Sequence, residues 1–293
     1  MRYYCIDIES CPLPEAQLLA LMPPEIATPF IPEAIKNPPP VDLSKCPVYG
    51  GDAQKQKAWK DEKEAKWIHD SNNARALWEE KAIEAKQRFI DDAALSPVTG
   101  TVKLIGIKDV EKQTAYIFVC DPTEEEMVKL NNATYPTKVR LFSFTKEKEM
   151  LSVFSTEINS GAVIPGSNDQ ESDFKLITFF GNGFDFPFIF KRCWFLGAPA
   201  PWSLRKGRYW NDAISCDLHD IFTFGDRSQK TGGLDNVARM LGTKRKSGSG
   251  EQFFRLWASD PVAAVLYLLD DLQCTEEAAM KMGIIGRPCD RRN

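Results

Sequence analysis

Histidine is almost missing from this chain. Among 293 residues there are two, His69 and His219, so chemistry that moves protons through an imidazole has little to work with. His69 lies in a charge-rich stretch, and His219 stands beside Asp217 and Asp220. No Gly-x-Ser-x-Gly turn accompanies either one, so a serine-hydrolase reading has no support; His219 is expected at the start of a helix. Long apolar runs are missing too, which excludes a membrane-spanning helix. A strand that begins at residue 3 leaves no room for a signal peptide. The eight cysteines (5, 11, 46, 120, 193, 216, 274 and 289) include no Cys-x-x-Cys pair, a spacing that argues against a zinc site. Several fall in apolar patterns, as buried thiols do, and a reducing cytoplasm is the compartment expected. The net charge of −4 does not advertise a nucleic-acid partner, so the local distribution of charge decides that question.

What is present begins at the N-terminus. Residues 3–10 read Tyr-Tyr-Cys-Ile-Asp-Ile-Glu-Ser. Aromatic and β-branched residues suit a strand, and alternation along it turns Asp7 and Glu9 to one face. Crowded carboxylates repel each other, and a divalent cation between them relieves the repulsion because hard cations take oxygen ligands. A strand with one wet face would carry the same pair without a metal, so the pair gains meaning only if more carboxylates arrive from elsewhere. Leu176 to Phe180 is an apolar run followed by the turn Gly181-Asn182-Gly183, and Asp185 stands just before Pro187, where a helix begins. Asp185 is then either a helix cap or a third carboxylate. Tyr267 and Asp271 fall four apart in the helical pattern Val262, Val265, Leu266, Leu269, Leu272 and share a face. That face is either the acidic edge of an amphipathic helix or the fourth contribution.

In this order, Asp7-x-Glu9, Phe184-Asp185-x-Pro187 and Tyr267-x-x-x-Asp271 resemble the three motifs of DEDDy-type 3′–5′ exonucleases of the RNase H-like superfamily. In particular they resemble the proofreading exonuclease of family-B DNA polymerases and its stand-alone relatives. The resemblance runs from residue 1 to about residue 283 around one insertion, and Cys216-Asp217-Leu218 adds to it, since an Asp-Leu follows motif two in those relatives. Each motif alone is unspecific; the three in order are specific. Motif one departs in carrying Ser10 where relatives often have Thr.

The resemblance implies an α/β fold, an RNase H-like mixed sheet flanked by helices, with a helical insertion after the first strand. It implies a metal-dependent 3′–5′ exonuclease that hydrolyses phosphodiester bonds from DNA 3′ ends and releases nucleoside 5′-monophosphates. Two ions, Mg2+ or Mn2+, would be held by Asp7, Glu9, Asp185 and Asp271. By the same resemblance Asp7 bridges both ions, Glu9 and Asp271 hold the one beside the attacking water, Asp185 acts on the other, and Tyr267 orients the water. The implied partners are single-stranded DNA or DNA 3′ ends, in the cytoplasm of a bacterium or of a bacterial host of a phage, with no membrane involved. The alternatives are an RNase D-like 3′–5′ exoribonuclease and a catalytically idle nucleic-acid-binding scaffold of the same fold. The oligomeric state is left open. Ser10, Phe184, Arg205, Lys206, Tyr209, Lys244 and Lys246 form the substrate-binding expectation. The basic residues read equally as solvated loop cations, and Phe184 reads also as core.

The whole of 1–293 is expected to be one exonuclease domain carrying an insertion at 11–96. Residues 11–50 hold ten prolines, expected as an extended strap, and 52–95 hold ten acidic and nine basic residues with no Pro or Gly. That second part is expected as a helix broken near Asp70-Ser-Asn-Asn73 or as a helical hairpin, its Trp59, Trp67 and Trp78 needing something to pack on. Strands are expected over 2–8, 102–107, 114–120, 139–144 and 175–180, the first three as a meander, with a loop or short helix over 123–137. Helices are expected over 146–158, 187–196, 217–224, 232–241, 251–257 and 260–282. Residues 159–173 read as a mobile Gly/Ser/Asn-rich loop, 243–250 as a basic Gly/Ser loop, and 283 onward as a basic tail.

Overall fold

The computed structural model describes residues 1–42, 44, 52–164, 174–226, 233–246, 248 and 253–286. The chain divides into two compact units, Met1–Leu13 with Ala93–Asn293, and Pro14–Asp92. The expected loop at 159–173, the basic loop at 243–250 and the tail beyond 283 fall in part on residues 165–173, 247, 249–250 and 287–293, which lie outside the described residues.

In chain order the elements are β1 (Arg2–Pro12), α1 (Glu15–Ala20), α2 (Pro24–Ala27), α3 (Glu33–Lys36), α4 (Ala53–Asp92), β2 (Gly100–Asp109), β3 (Thr114–Cys120), α5 (Glu124–Asn132), β4 (Lys138–Phe144) and α6 (Glu147–Ser160). There follow β5 (Phe174–Thr178), α7 (Asp185–Leu196), β6 (Arg205–Lys206), β7 (Tyr209–Trp210), β8 (Ser215–Asp217), α8 (Leu218–Phe222), α9 (Gly233–Leu241), α10 (Phe253–Ser259) and α11 (Pro261–Lys281). Six strands form one sheet in the order β4-β3-β2-β1-β5-β8. β1, β2 and β3 make the antiparallel meander, and β5 and β8 run parallel to β1 on its other side. This mixed sheet, flanked by helices and with a long helix after the first strand, fits an RNase H-like arrangement.

Alternation along β1 feeds two cores. Tyr4, Ile6 and Ile8 join one core with α6 and α7, through Met150, Leu151, Phe154, Ile158, Phe186 and Ile189. Cys5 points the other way and joins α10 and α11, through Phe253, Trp257, Val265, Leu268 and Leu272. Asp7 and Glu9 share the face of Cys5. Parallel pairing of β1 with β5 needs a crossover between them, and α6 lies on it.

Local chemistry sets the helix limits. Thr123 and Glu126 form a reciprocal capping box, so 123–137 opens with a helix, α5, where a loop was the alternative. Asp260 accepts from the backbone N–H of Val262 and Ala263, at 2.9 and 3.1 Å, with Pro261 in the first turn of α11. β5 stops at Thr178, two residues before the expected end, because Phe180 takes a left-handed φ of 65° that no strand residue adopts.

The unit Pro14–Asp92 departs from two expectations. Among the described residues the proline-rich segment is interrupted by short helices and is not one extended strap. Pro14, Pro23 and Pro32, with φ between −49° and −55°, each precede a short helix. A fixed φ near −65° is compatible with helix entry as well as with extension. The charged stretch is not broken near 70–73 but forms one helix of 40 residues, α4. Asn and Ser are poor helix formers, yet neither removes a backbone bond as Pro does. Asn73 Nδ2 also meets the His69 ring at 2.9 Å across one turn. The Trp67 indole N–H donates to Pro39 O at 2.7 Å, and α2 and α3 lie along α4, so part of the aromatic surface packs within this unit.

One glycine controls how close α11 comes to the sheet. Gly106 pairs with Asp7 across β1 and β2. A Cβ placed on it would lie 2.9 Å from Leu268 Cδ2 and from Leu272 Cδ1, both buried on α11. Gly106→Val is therefore expected to push α11 outward and to lower stability by about 1–3 kcal/mol. Urea denaturation measures this, and a variant as stable as the parent would show that α11 has room to spare.

Candidate metal centre

Three elements deliver the carboxylates. β1 brings Asp7 and Glu9, α11 brings Asp271, and one oxygen from each lies within 4.8 Å of the others. Asp185, the first residue of α7, is buried close enough to Asp7 to raise its carboxyl further. It does not cap its helix: Phe184 holds the cap position, and no side-chain cap bond forms. Asp271 is 2% exposed and faces the cluster, whereas Asp270 is half-buried and pairs with Lys244.

Asp185 owes its place to Asp217. Asp217 Oδ1 accepts from Phe180 N at 2.8 Å and His219 N at 3.0 Å, and its Oδ2 accepts from Asn182 N at 2.8 Å. One carboxylate thus pins the turn between β5 and α7 and caps α8. Gly181 completes the turn, since a Cβ there would lie 2.5 Å from Thr178 Cβ. The side chain of Asn182 is engaged by Asp220 at 3.0 Å and Ser215 at 3.1 Å. His219 sits in the first turn of α8, as expected, its ring edge-on to Phe180 at 4.9 Å. The motif resemblance singled out Asp217, but its structural task is visible only in these contacts.

Burial pushes the Asp7 carboxyl well above the usual carboxyl range, and the neighbouring Asp185 and Asp271 push it further. Burial does the same to Glu9, with Asp7 and Asp271 adding to it. Burial takes Asp185 up to about 7. Asp271 is raised by burial against the opposing pull of Lys246. Lys246 pairs with Asp271 Oδ2 and lies 4.8 Å from the centre of the Tyr267 ring. Burial works against its charge, but Asp271 and Asp7 win and hold the ammonium above its ordinary range.

No family model matches this chain, and no curated protein matches it.

The donor set suits a divalent cation. All four groups offer oxygen, as Mg2+ and Mn2+ require. Four carboxylates facing one ammonium leave three negative charges uncompensated when all are ionised. Asp271 Oδ1 and the Tyr267 hydroxyl are buried with no hydrogen-bond partner of normal geometry among the described residues. The hydroxyl still lies near enough to Asp271 to favour its charged form. Oxygens left in this way cost free energy unless a cation or water satisfies them.

The residues expected at the substrate are spread more widely. Ser10 donates its hydroxyl to Ala94 O at 2.6 Å and ties β1 to the turn before β2. Phe184 is half-buried, its ring 5.6 Å from that of Phe188. Arg205, Lys206 and Tyr209 lie on the separate hairpin β6–β7. Lys244, still exposed, pairs with Asp270, and Lys246, half-buried, pairs with Asp271, both acids of α11. Tyr267 and Asp270 also line a cavity of about 1260 Å3 with Lys138, Lys244 and Arg255, which Asp7, Glu9 and Asp185 do not line.

A carboxyl whose pKa is raised by folding keeps a proton that the unfolded chain has released. The folded state is then favoured below a pH of about 4 and loses that advantage as pH rises through about 7, where Asp185 titrates. In EDTA, Asp7→Asn is expected to raise Tm by about 2–4 °C at high pH, with a smaller gain at low pH, because it removes about 1 kcal/mol of repulsion. Thermal melts of both proteins across that range decide the matter; a variant no more stable than its parent at the alkaline end would contradict it.

Proposed function

We propose that this chain is a metal-dependent 3′–5′ exonuclease that acts on DNA 3′ ends and releases nucleoside 5′-monophosphates. One observation carries the reading: carboxylates of three sequence-distant motifs, in the order met in DEDDy-type exonucleases, gather around Asp7. An acidic cluster alone would serve many proteins. An acidic cluster with a buried tyrosine hydroxyl one helical turn from Asp271 suits phosphodiester hydrolysis, which needs a held metal and a positioned water.

Asp7, Glu9 and Asp271 would hold one ion between them, and Asp185, which acts electrostatically on Asp7, would contribute to a second. When bound, Mg2+ or Mn2+ supplies Lewis-acid neutralisation of the phosphate and the leaving alkoxide. Tyr267 keeps its proton through the neutral range, since burial and then Asp271 and Glu9 hold the phenol above its ordinary value. Its role is to orient water by hydrogen bonding, not to remove a proton. Lys246 neutralises part of the carboxylate charge before an ion arrives.

The assay is degradation of 5′-labelled single-stranded DNA, duplex DNA and RNA with Mg2+ or Mn2+, against EDTA. DNA is expected to shorten from its 3′ end only with metal; a preference for RNA would replace this reading with the exoribonuclease one. Asp7→Ala and Asp271→Ala are expected to abolish activity while Asp270→Ala retains it. Tyr267→Phe is expected to lower kcat by a factor on the order of 10² or less and to leave metal affinity nearly unchanged. Parental activity in Asp7→Ala would sink the proposal, and a fully folded parent inert on all three substrates would make the chain a scaffold.

A further inference from the structure

Helix α7 carries a second feature besides Asp185. Phe186, Phe190 and Trp194 recur every four residues and so share one face. Rings from the following segment close over that face. Trp210 lies 5.5 Å from Phe186 and 6.0 Å from Phe190, and Trp202 lies 5.3 Å from Phe190 and 6.4 Å from Trp194. The ladder begins beside Asp185, buried, and ends in the open. Trp194 is 57% exposed and Trp202 59%, with Phe195 at 56% beside them. Indole rings left in water at the end of an otherwise packed aromatic row need a reason.

The charge around them supplies one. Residues 186–212 carry five basic side chains, Lys191, Arg192, Arg205, Lys206 and Arg208, against one acid, Asp212, in a chain of net charge −4. Arg192 is used internally, bound by both oxygens of Glu147 at 3.0 and 2.6 Å. Lys191, Lys206 and Arg208 are exposed and have no carboxylate partner among the described residues. Arg205 lies 4.5 Å from the centre of the Trp210 ring and Arg208 4.8 Å from that of Tyr209, so cations and π-faces alternate. A second copy of the chain would bring the same cations face to face, which a two-fold contact makes repulsive. A chain of phosphates and flat bases satisfies both the charge and the rings.

We propose that Trp194 and Trp202, with the cations of the β6–β7 hairpin, form a platform for single-stranded nucleic acid remote from the metal centre. It rests on the exonuclease reading only for the direction of the strand, with the 3′ end at Asp185. Trp194 stands nine positions beyond Asp185 on the helix, a rise of about 14 Å, or about four nucleotides at a stacked rise of about 3.4 Å. The platform would grip the strand upstream of the end being cut. It would favour single strands, whose bases are free to stack, over duplex.

The test is binding in EDTA, where no hydrolysis occurs, of fluorescein-labelled oligothymidylates of two and eight nucleotides. The parent is expected to bind the eight-mer more tightly than the two-mer. In Trp194→Ala/Trp202→Ala the eight-mer is expected to lose at least about tenfold in affinity and the two-mer almost nothing. As both rings are exposed, an unchanged circular dichroism spectrum is expected; should the double variant misfold, Lys206→Glu/Arg208→Glu takes its place and must weaken the eight-mer and flatten its salt dependence. Equal eight-mer affinity in a folded variant overturns the platform. So does a variant that changes only sedimentation, which would make the patch a self-association surface, or only binding to anionic vesicles, which would make it a lipid surface. A parent that binds the eight-mer through these residues but cuts nothing overturns the exonuclease reading and leaves the platform standing.

Discussion

Four carboxyl groups confined among β1, the start of α7 and the face of α11 are the constraint to which the rest of this unit answers. Burial alone disfavours their charge, Asp185 and Asp271 make Asp7 harder to ionise, and Asp7 and Asp271 do the same to Glu9. Such an arrangement survives only if the backbone holds it against its own repulsion. The holding parts are specific. β1 is an inner strand bonded on both sides by β2 and β5, Gly106 lets α11 lie against the sheet, and Asp217 fastens the turn that launches α7. Each of these sets the distance between the charges.

Lys246 shows how the same constraint reaches the loops. Its ammonium occupies the side of the cluster that Asp271 and Tyr267 share, although it comes from the segment after α9. A single flexible cation moderates the repulsion without satisfying it, for Asp271 Oδ1 keeps no partner among the described residues. Asp7, Glu9 and Asp271 together could hold a cation of higher charge. The two basic segments of the chain thereby acquire different roles. The 244–246 segment answers acids of this protein, and the 205–208 segment faces outward.

The unit Pro14–Asp92 obeys other rules. α4 has no buried residue along 40, and α1, α2 and α3 are short turns begun by prolines. A helix of that length in which no side chain is fully buried depends on intrinsic propensity and on i,i+4 pairs such as Arg75 with Glu79 at 3.0 Å more than on packing. Where packing does occur, as at Trp67 with Pro39, it ties the proline segment to the helix.

Period and order were readable in the chain itself. Alternation put Asp7 and Glu9 on one face, a spacing of four put Tyr267 with Asp271, and apolar runs marked the strands, since these are local consequences of backbone geometry. Local propensity also misled: ten prolines suggested extension, yet three of them, Pro14, Pro23 and Pro32, start helices, and Asn-rich residues suggested a break that α4 does not have. Other features had no local signature at all. That Gly106 is a spacer, that Asp217 works on a turn 37 residues upstream, that Lys246 lands on Asp271, and that Trp202 and Trp210 extend the aromatic row of α7 depend on which elements become neighbours. A sequence states what each residue offers; contact between residues far apart in the chain is decided by how the sheet brings β1, α7 and α11 together, because charge, packing and desolvation act through space and not along the backbone.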